Sequence, residues 1–239
     1  MKIVSRVSFG LVVGLLVLSA TAALAADKPS VGVADFQNDT SAGWWSGGVG
    51  RDLAGMLSNE LSSTEKFHVV ERAKLSSVLQ EQDLAESGRV EKKTAAKVGR
   101  LTGAKYLIMG TVSAYEEKVS GGGGGVSFRG ISVGGKKSDA YMAVDLRVVD
   151  TTTGEVAFSR TVEARSGSYG ISGGLYRGGF GGNLGKYENT PAGKAIRGCL
   201  VEISDYLGCV MVDKDSCVDE YKAKEAGRRE KTKKSIKLD

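Results

Sequence analysis

The sequence predicts an α/β domain interrupted by two glycine-rich β-hairpins, and three observations carry that prediction. Apolar runs of strand length alternate with segments whose apolar residues recur every three to four positions. More than half of the 34 glycines fall between Gly121 and Gly185, so the hairpins differ in composition from the domain that carries them. Past the first 25 residues, no apolar stretch is long enough to cross a bilayer as a helix. Two hairpins supply four strands, whereas single-chain membrane barrels need about eight. An open sheet in lipid would leave its edge N–H and C=O groups unpaired. If these hairpins enter a membrane, several copies must share one oligomeric transmembrane β-barrel.

Residues 1–25 read as a cleavable secretory signal. Lys2 and Arg6 begin it, residues 9–18 form its apolar middle, and Ala23-Leu24-Ala25 is a small-x-small site before Ala26. An uncleaved anchor helix is the alternative, since residues 7–25 are about long enough to span a bilayer. The short apolar core favours cleavage. No cysteine stands at that site, so no lipid attachment is expected there.

The first strand is expected at 30–36 (SVGVADF), followed by a polar loop at 37–48 that carries Trp44 and Trp45. Val49, Leu53, Met56, Leu57 and Leu61 recur at helical spacing and predict a helix over 49–61. A short strand is predicted at 67–70, a helix at 74–86, a third helix at 94–101 and a strand at 106–109. The domain is expected to comprise 26–111, 144–156 and 188–220, with hairpins at 112–143 and 157–187. A tight turn at 151–154 joins two strands. Thr190-Pro191 has cap chemistry, threonine at the N-cap and proline at N1, and Ile196, Cys199, Leu200, Ile203 and Leu207 mark the core face of the helix that follows.

The formal net charge is +5, and residues 222–239 hold eight Lys/Arg against three acids. A basic end can suggest nucleic acid or anionic lipid. Residues 222–239 lack interleaved aromatics, so the tail, taken as 221–239, reads instead as a solvated, frayed extension; export also argues against nucleic acid. Three cysteines in an exported chain allow one disulfide. Cys199 falls on a helical core face, so Cys209–Cys217, eight apart in a turn-rich stretch, is the expected pair.

Enzyme chemistry finds no support. His68 is the single histidine and sits in a strand, so no Ser/His/Asp or Cys/His set can be assembled. Neither C-x-x-C nor P-loop is present, and Gly48-Val49-Gly50 has Leu53 where a dinucleotide fingerprint needs glycine. No cofactor or metal is expected. Trp44 and Trp45 are the sharper feature, because two adjacent indoles in a polar loop are costly to leave in water. Repeated around a ring they would form an aromatic constriction; alternatively, one ring packs beneath the loop. The hairpins also have two readings. Val126, Phe128, Ile131 and Val133, then Tyr169 and Ile171, keep a period-2 pattern suited to membrane strands, while their glycine content suits flexible surface loops.

Four stretches carry a family likeness: VGVADF (31–36), FHVVERAKLSSVLQEQ (67–82), GAKYLIMGTVSAYE (103–116) and VDLRVVDTTTGEV (144–156). In order and spacing they resemble the curli production assembly/transport component family, the CsgG-type secretion channel. The resemblance implies a periplasmic α/β domain in a homo-oligomeric ring, each subunit giving two hairpins to one outer-membrane barrel. Its implied partners are copies of itself, the outer-membrane lipid and the unfolded amyloid subunits that leave through the barrel. The family narrows its channel with a loop bearing tyrosine, asparagine and phenylalanine. Trp45 falls at the phenylalanine position, Trp44 at the asparagine, and the tyrosine position lands near Thr40. Family channels are lipoproteins, and the absent cysteine departs from that pattern. Two function classes follow: an export pore, or a soluble periplasmic binding or scaffold protein whose hairpins never insert.

Overall fold

The computed structural model describes residues 28–72, 74–120, 126–128, 131–133, 137–166 and 189–236. The expected signal at 1–25 and residues 167–187 of the second hairpin lie outside them. Strand β1 (Ser30–Val33) and the two-residue β2 (Gln37–Asn38) lead into α1 (Val49–Ser63). Next come β3 (His68–Val70), α2 (Leu75–Glu86) and the long β4 (Tyr106–Ser120). Strands β5 (Val126–Phe128) and β6 (Ile131–Val133) pair with each other, and β7 (Lys137–Asp150) returns along β4. After β8 (Val156–Arg165) come α3 (Pro191–Leu207), a π-helical turn over Gly208–Asp213, and α4 (Cys217–Ser235).

The main sheet has the order β3-β1-β4-β7-β8. Its β3, β1 and β4 are parallel and its β4, β7 and β8 antiparallel. Period-2 alternation sends one face of each strand inward. Register then stacks Ile108, Val148 and Phe158 in one row and Val112, Val144 and Val162 in another. A bulge between Val112 and Ala114 adds one residue to β4, so that Tyr115, not Ala114, continues the inward row opposite Met142. Against this face pack Leu53, Leu57 and Leu61 of α1 and Ile196, Leu200 and Ile203 of α3, all fully buried.

Phe36 is the keystone between sheet and helix. Its backbone N–H donates to the Gly50 carbonyl at 3.0 Å, and its ring lies on Gly110 of β4. A Cβ at Gly110 would fall 2.4 Å from Phe36 Cε1, and one at Gly50 would fall 2.2 Å from the Phe36 carbonyl oxygen. Both glycines are required by close approach, not by backbone angle. At the other end of the chain's helical layer, the Thr190 hydroxyl accepts from the Gly193 N–H at 3.1 Å with Pro191 at the first helical position. Cys199 is fully buried on the expected face, and burial pushes its thiol well above the usual range.

Two expectations are corrected. Residues 94–101 form turns rather than a helix. Val98 and Leu101 stay exposed, and a short segment without a surface to pack on cannot offset the cost of helix nucleation. The tail is a helix, not a frayed extension: α4 runs to Ser235 with no buried residue. It is supported by ion pairs at helical spacing, Arg228–Glu225 at 2.7 Å and Lys234–Glu230 at 3.4 Å.

Glu60 of α1 and Asp205 of α3 give the interhelical contact a pH dependence. Burial raises both carboxyls above their ordinary values, and the Asp205 charge raises Glu60 further; Lys66 and Lys224 only partly oppose the rise at Asp205. A carboxyl whose folded value is raised binds protons more tightly in the folded state, so stability falls as pH climbs from about 4 through the raised values. Glu60→Gln is expected to flatten that decline and to raise stability at pH 7 by less than about 1 kcal/mol, because both groups remain partly solvated. Urea midpoints between pH 4 and 7 measure it; a steeper decline in the variant would refute the assignment.

Candidate functional site

The loop between β2 and α1 is a built structure. The Asn38 side chain accepts from the Thr40 N–H at 3.2 Å and from its hydroxyl at 2.7 Å, and donates to the Thr40 carbonyl at 2.9 Å. Thr40 Oγ1 accepts from the Ala42 N–H at 3.2 Å, and the Asp39 N–H donates to the Val112 carbonyl at 3.0 Å, beside the β4 bulge. These short-range bonds are what the Asn and Thr of a polar turn supply. They fix the loop against the foot of the β4–β7 hairpin.

The two tryptophans take different places. Trp44 is only 4 % exposed and belongs to the core. Its ring meets Tyr115 edge-on, centroids 5.5 Å apart at 74°, and Trp45 at 5.6 Å and 62°. Of the two alternatives, Trp44 in the single chain takes the one in which a ring packs beneath the loop, because the inward turn of Tyr115 gives it a partner. Trp45 is half-buried at the rim. Trp44 Nε1 is buried with no hydrogen-bond partner among the described residues. Tyr115, which the sequence reading missed, donates its hydroxyl to Glu117 Oε2 at 2.9 Å.

A second site lies at the opposite edge of the sheet. Arg160 points inward from β8, and its guanidinium lies 5.1 Å from the Tyr206 ring and 4.6 Å from the Tyr221 ring. Its Nη2 lies 3.6 Å from Glu202 Oε1, with the two side chains only 10 % and 19 % exposed. Lys224 reaches the same oxygen at 3.6 Å. Phe158, Arg160, Tyr206, Val210, Tyr221 and α4 enclose an open cleft of about 810 Å³. Cys209 and Cys217 are bonded in the structure, and Lys66 pairs with Asp213 inside the loop they close. The bridge sets the direction in which α4 leaves the π-helical turn, which brings Tyr221 onto Arg160. Cys217→Ser is expected to cost about 2–3 kcal/mol at most, since the closed loop is short. Non-reducing peptide mapping is the direct check; Cys199 in a bridge would overturn the pairing.

His68 lies in β3 with its side chain exposed. Among the described residues, no helix is long and apolar enough to cross a membrane.

The chain belongs to the curli production assembly/transport component CsgG family, whose model matches residues 15–236. That is an assembly and transport family, not one of enzymes. The CsgG component of Escherichia coli strain K12 is 29 % identical over 160 residues, covering 63 % of this chain and 58 % of that protein. The component from Salmonella typhimurium matches to the same extent. The matched region thus spans well under two thirds of these relatives' length. Among solved structures, the hypothetical protein CT253 from Chlamydia trachomatis superposes with a TM-score of 0.44 at 13 % identity, covering 76 % of this chain and 96 % of that one. So loose a superposition carries no argument about this chain.

Proposed function

We propose that this protein is the subunit of a non-enzymatic, oligomeric channel in the outer membrane of a Gram-negative cell, exporting unfolded polypeptide of the curli-like amyloid class. The family supports a transport component of the cell envelope. One observation carries the finer reading. Strands β4 and β7 remain paired from Tyr106–Asp150 in the core out to Ser120–Lys137. The 15 residues of β4 reach about 50 Å, while β1 and β3 on the same sheet have four and three. A hairpin of that reach is more than the domain needs for its own core, and it suits a strand pair shared among copies. In this reading Trp45 lines the narrowest point, with Trp44 and Tyr115 bracing it from behind.

The second reading is a soluble envelope scaffold of the same fold, favoured by the glycine-rich composition of both hairpins. Fractionation of cells followed by negative-stain microscopy of detergent extracts separates the two. Rings in the outer-membrane fraction are the expected result; a protein recovered only in the soluble envelope fraction refutes the channel.

A further inference from the structure

Two surfaces at opposite edges of the sheet are unsatisfied in the single chain, and they carry opposite charge. Helix α2 follows edge strand β3. It holds Glu81, Asp83 and Glu86 with no basic residue, and none of the three makes an ion pair or side-chain hydrogen bond among the described residues. Leu79, Asp83 and Glu86 stand at i, i+4 and i+7 on one face. Leu79 is 43 % and Leu84 40 % exposed.

The cleft beneath α4 lies beside the other edge strand, β8, and is its counterpart. Its floor is apolar and aromatic, with Phe158, Tyr206, Val210 and Tyr221, and α4 overhangs it with Lys222, Arg229 and Lys233. The acids on that wall are already neutralised: Glu225 accepts from Arg228 at 2.7 and 3.0 Å, and Glu230 pairs with Lys234. The side chains of Arg229 and Lys233 make no hydrogen bond or ion pair among the described residues, although the Arg229 charge acts on Glu225. At the floor, Arg160 Nε and Nη1 have no hydrogen-bond partner among the described residues. The cleft therefore holds a net excess of positive charge over an apolar base.

We infer that α2 of one copy docks in the α4 cleft of the next. Asp83 and Glu86 then face Arg229 and Lys233, and Leu79 enters the apolar floor. The contact cannot form within one chain, because the strand order puts about 19 Å of sheet between β3 and β8. At twelve residues α2 is about 18 Å long, a rod suited to an open groove. Different patches on the two partners make the interface heterologous, and a heterologous contact closes into a ring when its rotation does. Charge complementarity of this kind chiefly sets partner choice and register. The inference rests on the oligomeric reading above and names the surfaces that reading needs.

The test uses the full chain in detergent extracts, with ring content measured by sedimentation and microscopy. Asp83→Lys with Glu86→Lys, and separately Arg229→Glu with Lys233→Glu, should each lower the fraction of chain in rings about tenfold. Combining all four restores opposite charge and should recover the rings. A second measurement does not depend on these reversals: Asp83→Cys with Arg229→Cys should give a ladder of disulfide-linked copies on non-reducing gels. If the wild type forms rings that the reversals leave untouched, or if the cysteine pair gives no ladder from intact rings, the docking is overturned and the channel reading stands. If the wild type forms no assembly, both fall together.

Discussion

Trp44→Ala should cost the fold about 3–5 kcal/mol, the range for removing a large aromatic from a packed core. Trp45→Ala should cost far less and act on transport instead. The two residues are adjacent, yet only Trp44 is enclosed between Tyr115 and the loop. Urea unfolding separates them: a large drop in midpoint for Trp44→Ala and a small one for Trp45→Ala. In reconstituted rings, Trp45→Ala should raise single-channel conductance markedly, because one indole per subunit leaves the bore. Unchanged conductance with intact rings would put the constriction elsewhere. Equal stability losses for both variants would place Trp45 in the core as well.

Gly110→Ala is expected to destabilise by about 1–3 kcal/mol through overpacking, since the new methyl meets the Phe36 ring at 2.4 Å. Gly50→Ala should be at least as costly, because the obstacle there is the Phe36 carbonyl oxygen at 2.2 Å. The two can be told apart. Phe36→Leu withdraws the ring and should recover part of the loss in Gly110→Ala, whereas it leaves the carbonyl in place and should not rescue Gly50→Ala. A double-mutant cycle on thermal or urea unfolding reads the difference. Equal rescue in both would mean that the helix, not the ring, moves to accommodate the methyl groups.

Several elements were legible because their signals are local. The apolar spacing from Val49 to Leu61 specifies α1, and Thr190-Pro191 specifies the start of α3 by hydroxyl acceptance and a missing N–H. The helix in the tail was missed because it has no apolar face. Its signal was charge spacing, Asp219 to Lys222 and Glu225 to Arg228, in a segment rich in Glu, Lys and Arg. The strand expected at 106–109 runs on into the hairpin expected from 112, and β7 pairs with it out to Ser120. The aromatic site was half-legible. Sequence singles out Trp44 and Trp45 but cannot supply Tyr115, which reaches them across the fold through a bulge. The α4 cleft was not legible at all, since Arg160, Tyr206 and Tyr221 come from three separate elements.

The bulge at Ser113 sets the handedness of everything beyond it. Side chains in a strand alternate, so one added residue exchanges the two faces of every later position. Were Ser113 paired into the ladder instead of bulged out, Ala114 would stand opposite Met142, Glu116 would take the next inward place and Tyr115 would turn away. Deleting Ser113 would instead leave the pairs Val112–Val144, Ala114–Ala143 and Tyr115–Met142 in plain alternation, so the faces depend on this residue staying out of the ladder. In a shared barrel, pairing it would send the lumen's side chains to the lipid and the lipid's to the lumen. A single unpaired residue near the hairpin's foot serves as the phase reference between a packed domain and a two-sided wall.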